Sequence, residues 1–226
     1  MKSFDLKLCV PTVRKCDVRT RAFTLMELLT VIAIIGILAS LLFPAVRSAR
    51  QSANKAKTRV QFNQWAAAIE GFRSEYGYYP VFHSSNLVNP AGQNTDPSTL
   101  HLFHDVLAGR RRDGSALPAY SSTTDAQFPE VQNRRLASFH SFGASDFTTD
   151  NLLHDACDNT SIAVLVDRDL DGIIKVGSDF TTLPPVNGLT PTSADFPDAG
   201  VRAGVVFYSA SPDASPANPE FIFSWK

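Results

Sequence analysis

Residues 167–172 read Asp167-Arg168-Asp169-Leu170-Asp171-Gly172, three carboxylates on alternate residues with a glycine closing the run. Carboxylates spaced this way on a tight loop wrap a hard cation in oxygens, and calcium suits that chemistry. Asp167, Asp169 and Asp171 are the candidate side-chain ligands, and the backbone carbonyl of Ile173 comes next. The acid expected at the twelfth position of such a loop is missing: Ser178 stands there, with Asp179, a candidate fourth ligand, one residue beyond. The same residues also suit an ordinary acidic hairpin turn, because Asp and Gly are favoured turn formers. Both readings are open at this stage. A bound ion would have a structural role, neutralising the carboxylates and locking the hairpin.

Another carboxylate stands where carboxylates are costly. From Phe23 to Phe43 Glu27 is the only charged residue, and Pro44 follows the run. A helix of that length spans about 30 Å, the thickness of a bilayer's hydrocarbon core. Inserting a charge there costs about 2.5–3.5 kcal/mol, so a partner or a function should accompany it. His101 and His104 sit three apart on a short apolar-periodic stretch, a spacing that places two metal ligands together on a helix. No third ligand or acidic cluster adjoins them in sequence, so the expectation is one packed and one solvent-facing histidine. The chain has no nucleophile elbow, paired-carboxylate motif, zinc signature or phosphate loop, and an enzyme is not expected.

The residues around Glu27 carry a resemblance. A basic leader, the small residue Ala22, then Phe23-Thr24-Leu25-Met26-Glu27-Leu28-Leu29 heading an apolar helix closely resembles the N-terminal signature of type IV pilins and type II secretion pseudopilins. The resemblance implies that a prepilin peptidase cuts between Ala22 and Phe23 and methylates the new amine. It makes Glu27, with Thr24 and Leu25, the assembly residues, Glu27 pairing with a neighbouring subunit's terminal amine. Pro44 falls where the helix of this family bends, and Ala22 stands where the family usually has Gly. The stretch Tyr76-Gly77-Tyr78-Tyr79-Pro80 is similar to the turn by which such helices lead into their heads. The ending Phe207–Lys226 is also similar to that of many pseudopilins, with Ser211 and Ala214 where Gly is usual; no ligand is carried over from it.

These residues must be positioned by a small set of elements. Residues 1–22 hold six Lys/Arg against two Asp, leaving fifteen against twenty in the remainder. They read as a leader, outside fold reasoning. The competing readings for this end are a secretory signal cut near Phe43-Pro44-Ala45 and an uncleaved anchor. The helix continues past Pro44, and Phe62, Trp65, Ile69, Phe72 and Tyr76 recur on one face, which predicts docking on a core. Gly77 and Pro80 end it. A short helix is expected over residues 99–109, a solvated turn at Arg110–Gly114 and a strand over residues 136–142. Strands are expected at residues 162–166, 173–176, 201–209 and 221–225, making two hairpins and a four-stranded, mostly antiparallel sheet. Cys9 and Cys16 lie in the leader, so Cys157 stands alone afterwards and is expected as a small buried apolar residue.

The expected architecture is therefore α+β and pilin-like: leader 1–22, transmembrane or filament-core helix 23–43, amphipathic continuation 44–79 and globular head 80–226. The expected function is a prepilin-processed subunit of a type IV pilus-like filament, of the type II secretion pseudopilin kind. The alternative is a membrane-anchored, extracytoplasmic, calcium-dependent binding module outside any filament. The resemblance implies as partners related pilin subunits, the prepilin peptidase, an inner-membrane platform with its cytoplasmic ATPase, and lipid before assembly. It places the chain as a single-pass inner-membrane protein with an extracytoplasmic head, later in a periplasmic or surface filament. Basic residues flank the apolar run on both sides, so charge alone does not choose that orientation. No nucleic-acid surface is expected.

Overall fold

The computed structural model describes residues 24–120 and 127–226. The leader, Ala22 and Phe23 lie outside the described residues. Contacts divide the chain into two units, Met1–Val46 and Arg47–Lys226. The first helix, α1 (Leu25–Tyr76), contributes to both and contains Pro44. In the first unit its large apolar side chains are exposed, from Leu25 to Phe43. An 18-residue window there is long and apolar enough to cross a membrane, and none of it is buried.

In the second unit the aromatic stripe does what its spacing predicts. Phe62, Trp65, Ile69 and Phe72 are fully buried, and Tyr76 is half-buried at the helix end. The Trp65 ring lies 5.3 Å from that of Phe103 and 5.7 Å from that of Phe207, both edge-on. Burying each such side chain stabilises by roughly 1.5–3 kcal/mol.

The surface opposite the stripe is a three-stranded antiparallel sheet, β1 (Ile162–Val166), β2 (Val205–Ala210) and β3 (Phe221–Phe223), in the order β1-β2-β3. Val164 pairs with Phe207 and Ser209 with Ile222. All three strands are buried along their length. That accounts for their near-continuous apolar sequences, because both faces of the sheet are covered. Alternate residues serve opposite cores. Ile162, Val164, Val166, Phe207 and Ile222 pack with the α1 stripe. Ala163, Leu165, Val206, Tyr208 and Phe223 pack with Ile174, Phe180, Val186, Leu189 and Phe196 from the connection between β1 and β2.

The expected fourth strand is not at residues 173–176. Ile174 bridges Val201 and Val176 bridges Phe180, each as an isolated pair. Positive φ at Gly172 and Gly177 cuts this segment short at both ends. The free edge of β1 is taken instead by residues 86–88, where Val88 N–H donates to Ile162 O at 2.9 Å and Val164 N–H to Asn86 O at 2.9 Å. Residues 136–142 are not a strand either. The Phe139 and His140 amides both donate to Leu107 O, and Phe139 packs edge-on to Phe72.

Helix α2 (Leu102–Ala108) is shorter than expected, and α3 spans Pro129–Gln132. His101 caps α2 through Nδ1, which accepts from His104 N–H. Gly109 ends it in the left-handed region at φ 68°. A Cβ at Gly109 would come within 2.6 Å of Leu136 O and 3.0 Å of Ala137 O. Gly109→Ala is therefore expected to cost about 2 kcal/mol or more, the left-handed penalty plus a displaced backbone. Gly177→Ala, with φ 99° and open space around it, carries the left-handed penalty alone. Urea unfolding of the two variants measures the difference.

Neither histidine of the 101/104 pair faces solvent; both are buried. His101 Nε2 lies 2.9 Å from Asn89 Oδ1, and His104 Nδ1 lies 2.9 Å from the buried carboxylate of Asp105. Arg110–Gly114 is not a simple solvated turn, since Arg111 Nη1 reaches Asp105 Oδ2 at 2.5 Å. Arg112 Nη2 binds the carbonyls of Asn94 and Asp96. The fully buried Asp105 needs a cation, and the turn supplies it.

Burial, with the nearby Arg112 charge, pushes the His101 imidazole down to about 3. Protonation would also destroy the acceptor at Nδ1. An unfolded histidine titrates near 6.5, so the unfolded chain takes up this proton first and stability falls as pH drops from about 6.5 toward 3. The expected slope approaches about 1.4 kcal/mol per pH unit between pH 6 and 5, above most carboxylate titration. His140, lowered chiefly by burial, adds in the same direction. Denaturant midpoints against pH, with His101→Gln as the flattened control, check this.

Candidate functional site

Two places hold the residues singled out for chemistry. The first is the start of α1. Thr24 precedes the helix, and its backbone N–H and hydroxyl both donate to Glu27 Oε2 at 2.9 Å. Glu27 N–H donates back to Thr24 Oγ1 at 3.2 Å. This reciprocal arrangement is a capping box, in which the helix's first orphan amides are satisfied by its own side chains. The Thr24-x-x-Glu27 spacing carries the signal for it, an Ser/Thr followed three residues later by Glu. The cap is a role of Glu27 beyond the one its charge suggests. Thr24 and Glu27 are thus brought together, while Leu25 is exposed beside them. Pro44 lies inside the helix, with α1 continuing past it.

The second place is the connection that leaves β1. Asp167, Asp169 and Asp179 come together, each offering a carboxylate oxygen within 4.8 Å of the others. Asp167 and Asp179 are 1% and 2% exposed, and Asp169 stands in solvent. Backbone amides hold the two buried carboxylates: Gly172 N–H donates to Asp167 Oδ2 at 2.8 Å. Arg168 and Lys175 N–H donate to the two oxygens of Asp179 at 2.7 and 2.9 Å. Ser178, at the twelfth position, donates its hydroxyl to Asp179 Oδ2 at 3.1 Å.

Asp171 is not one of the three. Its Oδ2 pairs with Lys175 Nζ at 3.1 Å and its Oδ1 accepts from Ile173 N–H at 2.7 Å. The Lys175 hydrogen bond is the largest cause holding the Asp171 carboxyl below its ordinary value. Partial desolvation, then the Asp171 and Asp179 charges, raise the Asp169 carboxyl. Lys175 was not singled out in the sequence, although its position four residues after Asp171 was a signal. Three carboxylates with no nitrogen or sulfur donor fit a hard cation such as calcium in chemistry.

Cys157 is half-buried, its thiol raised mainly by burial, and Thr58 Oγ1 lies 3.8 Å from its sulfur. Among the described residues no other group of His, Cys, Asp and Glu has metal-holding geometry.

Residues 18–43 match a protein-family model described as a prokaryotic N-terminal methylation motif. The match contains Ala22, Phe23, Thr24 and Glu27 and the whole apolar run. The match covers 26 of the 226 residues, and over that N-terminal segment the chain is similar to prepilin-type pilin and pseudopilin precursors. Neither the curated proteins nor the solved structures gave a match to the chain.

Proposed function

We propose that the chain is a prepilin-processed subunit of a type IV pilus-like filament, of the type II secretion pseudopilin kind, that assembles through its N-terminal helix. The observation that carries this is Glu27: the sole charge in a long apolar run, inside the matched methylation motif. Prepilin peptidase cuts between Ala22 and Phe23 and methylates the Phe23 amine. Until assembly the helix rests in the inner membrane, and the capping box gives the Glu27 carboxylate two hydrogen bonds there, which lowers the insertion penalty. In the filament the amine of a neighbouring subunit pairs with Glu27. A buried ion pair of this kind fixes register between helices more than it adds stability. Growth is driven by a cytoplasmic ATPase acting on an inner-membrane platform. The chain's role is structural, with no catalytic step of its own.

The gathered carboxylates favour a second element of the proposal, a structural calcium ion at Asp167, Asp169 and Asp179. The ion would cancel charge at the exit of β1. Asp171, held by Lys175, stays outside the ligand set.

Mass spectrometry of the mature N-terminus tests the filament reading. The expected result is N-methyl-Phe23 as first residue. A mature chain starting near Ala45, or retaining Met1, overturns it and favours the alternative of a calcium-dependent binding module anchored in the membrane.

A further inference from the structure

The next feature of note is a run of cations without acids. Between Glu27 and Glu70 the chain has Arg47, Arg50, Lys55, Lys57 and Arg59 and no Asp or Glu. Only Lys55 is firmly committed, to Glu220 Oε1 at 2.6 Å. Arg47 Nη2 lies 3.9 Å from Asp213 Oδ1, an exposed pair of little worth. That same oxygen accepts from Gln51 Nε2 at 3.0 Å. Arg50, Lys57 and Arg59 are exposed and have no ion-pair partner among the described residues. We propose that Arg47 and Arg50 bind the phosphate groups of anionic phospholipids at the bilayer surface where the apolar run ends. This rests on residues 23–43 being a membrane span.

Distance selects these two. The headgroup layer is about 5–7 Å thick on each side, and charges act over a Debye length of about 8–10 Å. At the helical rise, Arg47 comes about 6 Å after Phe43 and Arg50 about 10 Å. Lys57 and Arg59 come about 21 and 24 Å after it, too far for a headgroup. Side chains on a helix lean toward its N-terminus, so Arg47 and Arg50 lean toward the apolar run. The guanidinium fork matches phosphate bidentately. Each basic residue at an anionic surface contributes about fivefold, so the pair gives up to about a 25-fold preference, less what Asp213 cancels.

The test uses the full chain in phosphatidylcholine vesicles, with spin-labelled phosphatidylglycerol and spin-labelled phosphatidylcholine as the two probes. The expected result is a several-fold excess of phosphatidylglycerol at the protein boundary. That excess falls several-fold in the double variant Arg47→Gln/Arg50→Gln, to the share that the basic residues of the leader hold, is lost at high salt, and is unchanged in Lys57→Gln/Arg59→Gln. Equal association of both lipids with the wild type overturns the proposal. So does loss of the preference only in the Lys57/Arg59 pair, which would assign the lipid phosphate to those two cations instead. A chain that alkaline carbonate strips from the vesicles refutes the span itself, a separately visible failure.

Discussion

Glu27→Ala is expected to leave the chain membrane-inserted and cleaved but to abolish its incorporation into filaments. The substitution removes an insertion penalty of about 2.5–3.5 kcal/mol, so the span inserts at least as readily. It also removes half of the capping box, about 1 kcal/mol of local helix stability at the first turn. That is small against a helix with more than ten turns. In the proposed filament the large effect arises between subunits. A neighbour's terminal amine brought into an apolar helix bundle without its carboxylate is a buried, unpaired charge, which costs about 3–5 kcal/mol at each contact. Every subunit of a filament makes that contact, so the penalty recurs along its length. Glu27→Gln keeps the shape and part of the cap and is expected to fail equally, because the charge is what the amine needs. Thr24→Ala removes the cap and leaves the carboxylate, and is expected to assemble. Crosslinked multimers and carbonate-resistant membrane fractions read these outcomes; normal multimers in Glu27→Ala would sink the reading.

What the sequence disclosed follows from how local each signal is. The α1 stripe was legible because steps of three and four between Phe62 and Tyr76 have only one explanation in a helix, a single buried face. Strands β1, β2 and β3 were legible as apolar runs because the sheet is covered on both sides. The partner at the free edge of β1 was not legible. Asn86-Leu87-Val88 offers only two apolar residues in a polar stretch, and its place follows from backbone hydrogen bonds to β1 together with the burial of Val88, both set by tertiary packing. Residues 173–176 looked more strand-like, yet only Ile174 is buried in the core, and glycines at 172 and 177 turn the chain on either side. The Asp105–Arg111 pair was hidden for a different reason. A charged residue is normally exposed, and burial becomes tolerable only once a partner six residues away is in place. At the candidate cation site the spacing of acids named Asp167, Asp169, Asp171 and Asp179, of which the fold brings three together. Asp179 joins through chain folding, and Asp171 leaves because Lys175 competes for it.

That membership gives the second large prediction. Calcium is expected to raise the thermal midpoint of the wild-type chain relative to the same chain in chelator. At a concentration one hundred times the dissociation constant, the gain is about 2.7 kcal/mol, or roughly 5–10 °C for a chain of this size. Asp169, Asp171 and Asp179 should then separate. Asp169→Asn is expected to remove the calcium response with little basal cost. Its carboxylate is exposed and its backbone partner, Asp171 N–H, lies at 3.3 Å, and its repulsion with Asp171 and Asp179 is relieved. Asp171→Asn is expected to keep the response, since its carboxylate serves Lys175 and Ile173 N–H. Asp179→Ala is expected to cost about 2–4 kcal/mol even in chelator, because the amides of Arg168 and Lys175 lose their buried acceptor. Equal wild-type midpoints with and without calcium would show that the loop is closed by its own amides and needs no ion, and a persisting response in Asp169→Asn would show that calcium binds elsewhere than this trio. The basal cost of Asp179→Ala stands under either result, because it comes from hydrogen bonds that the chain makes with itself.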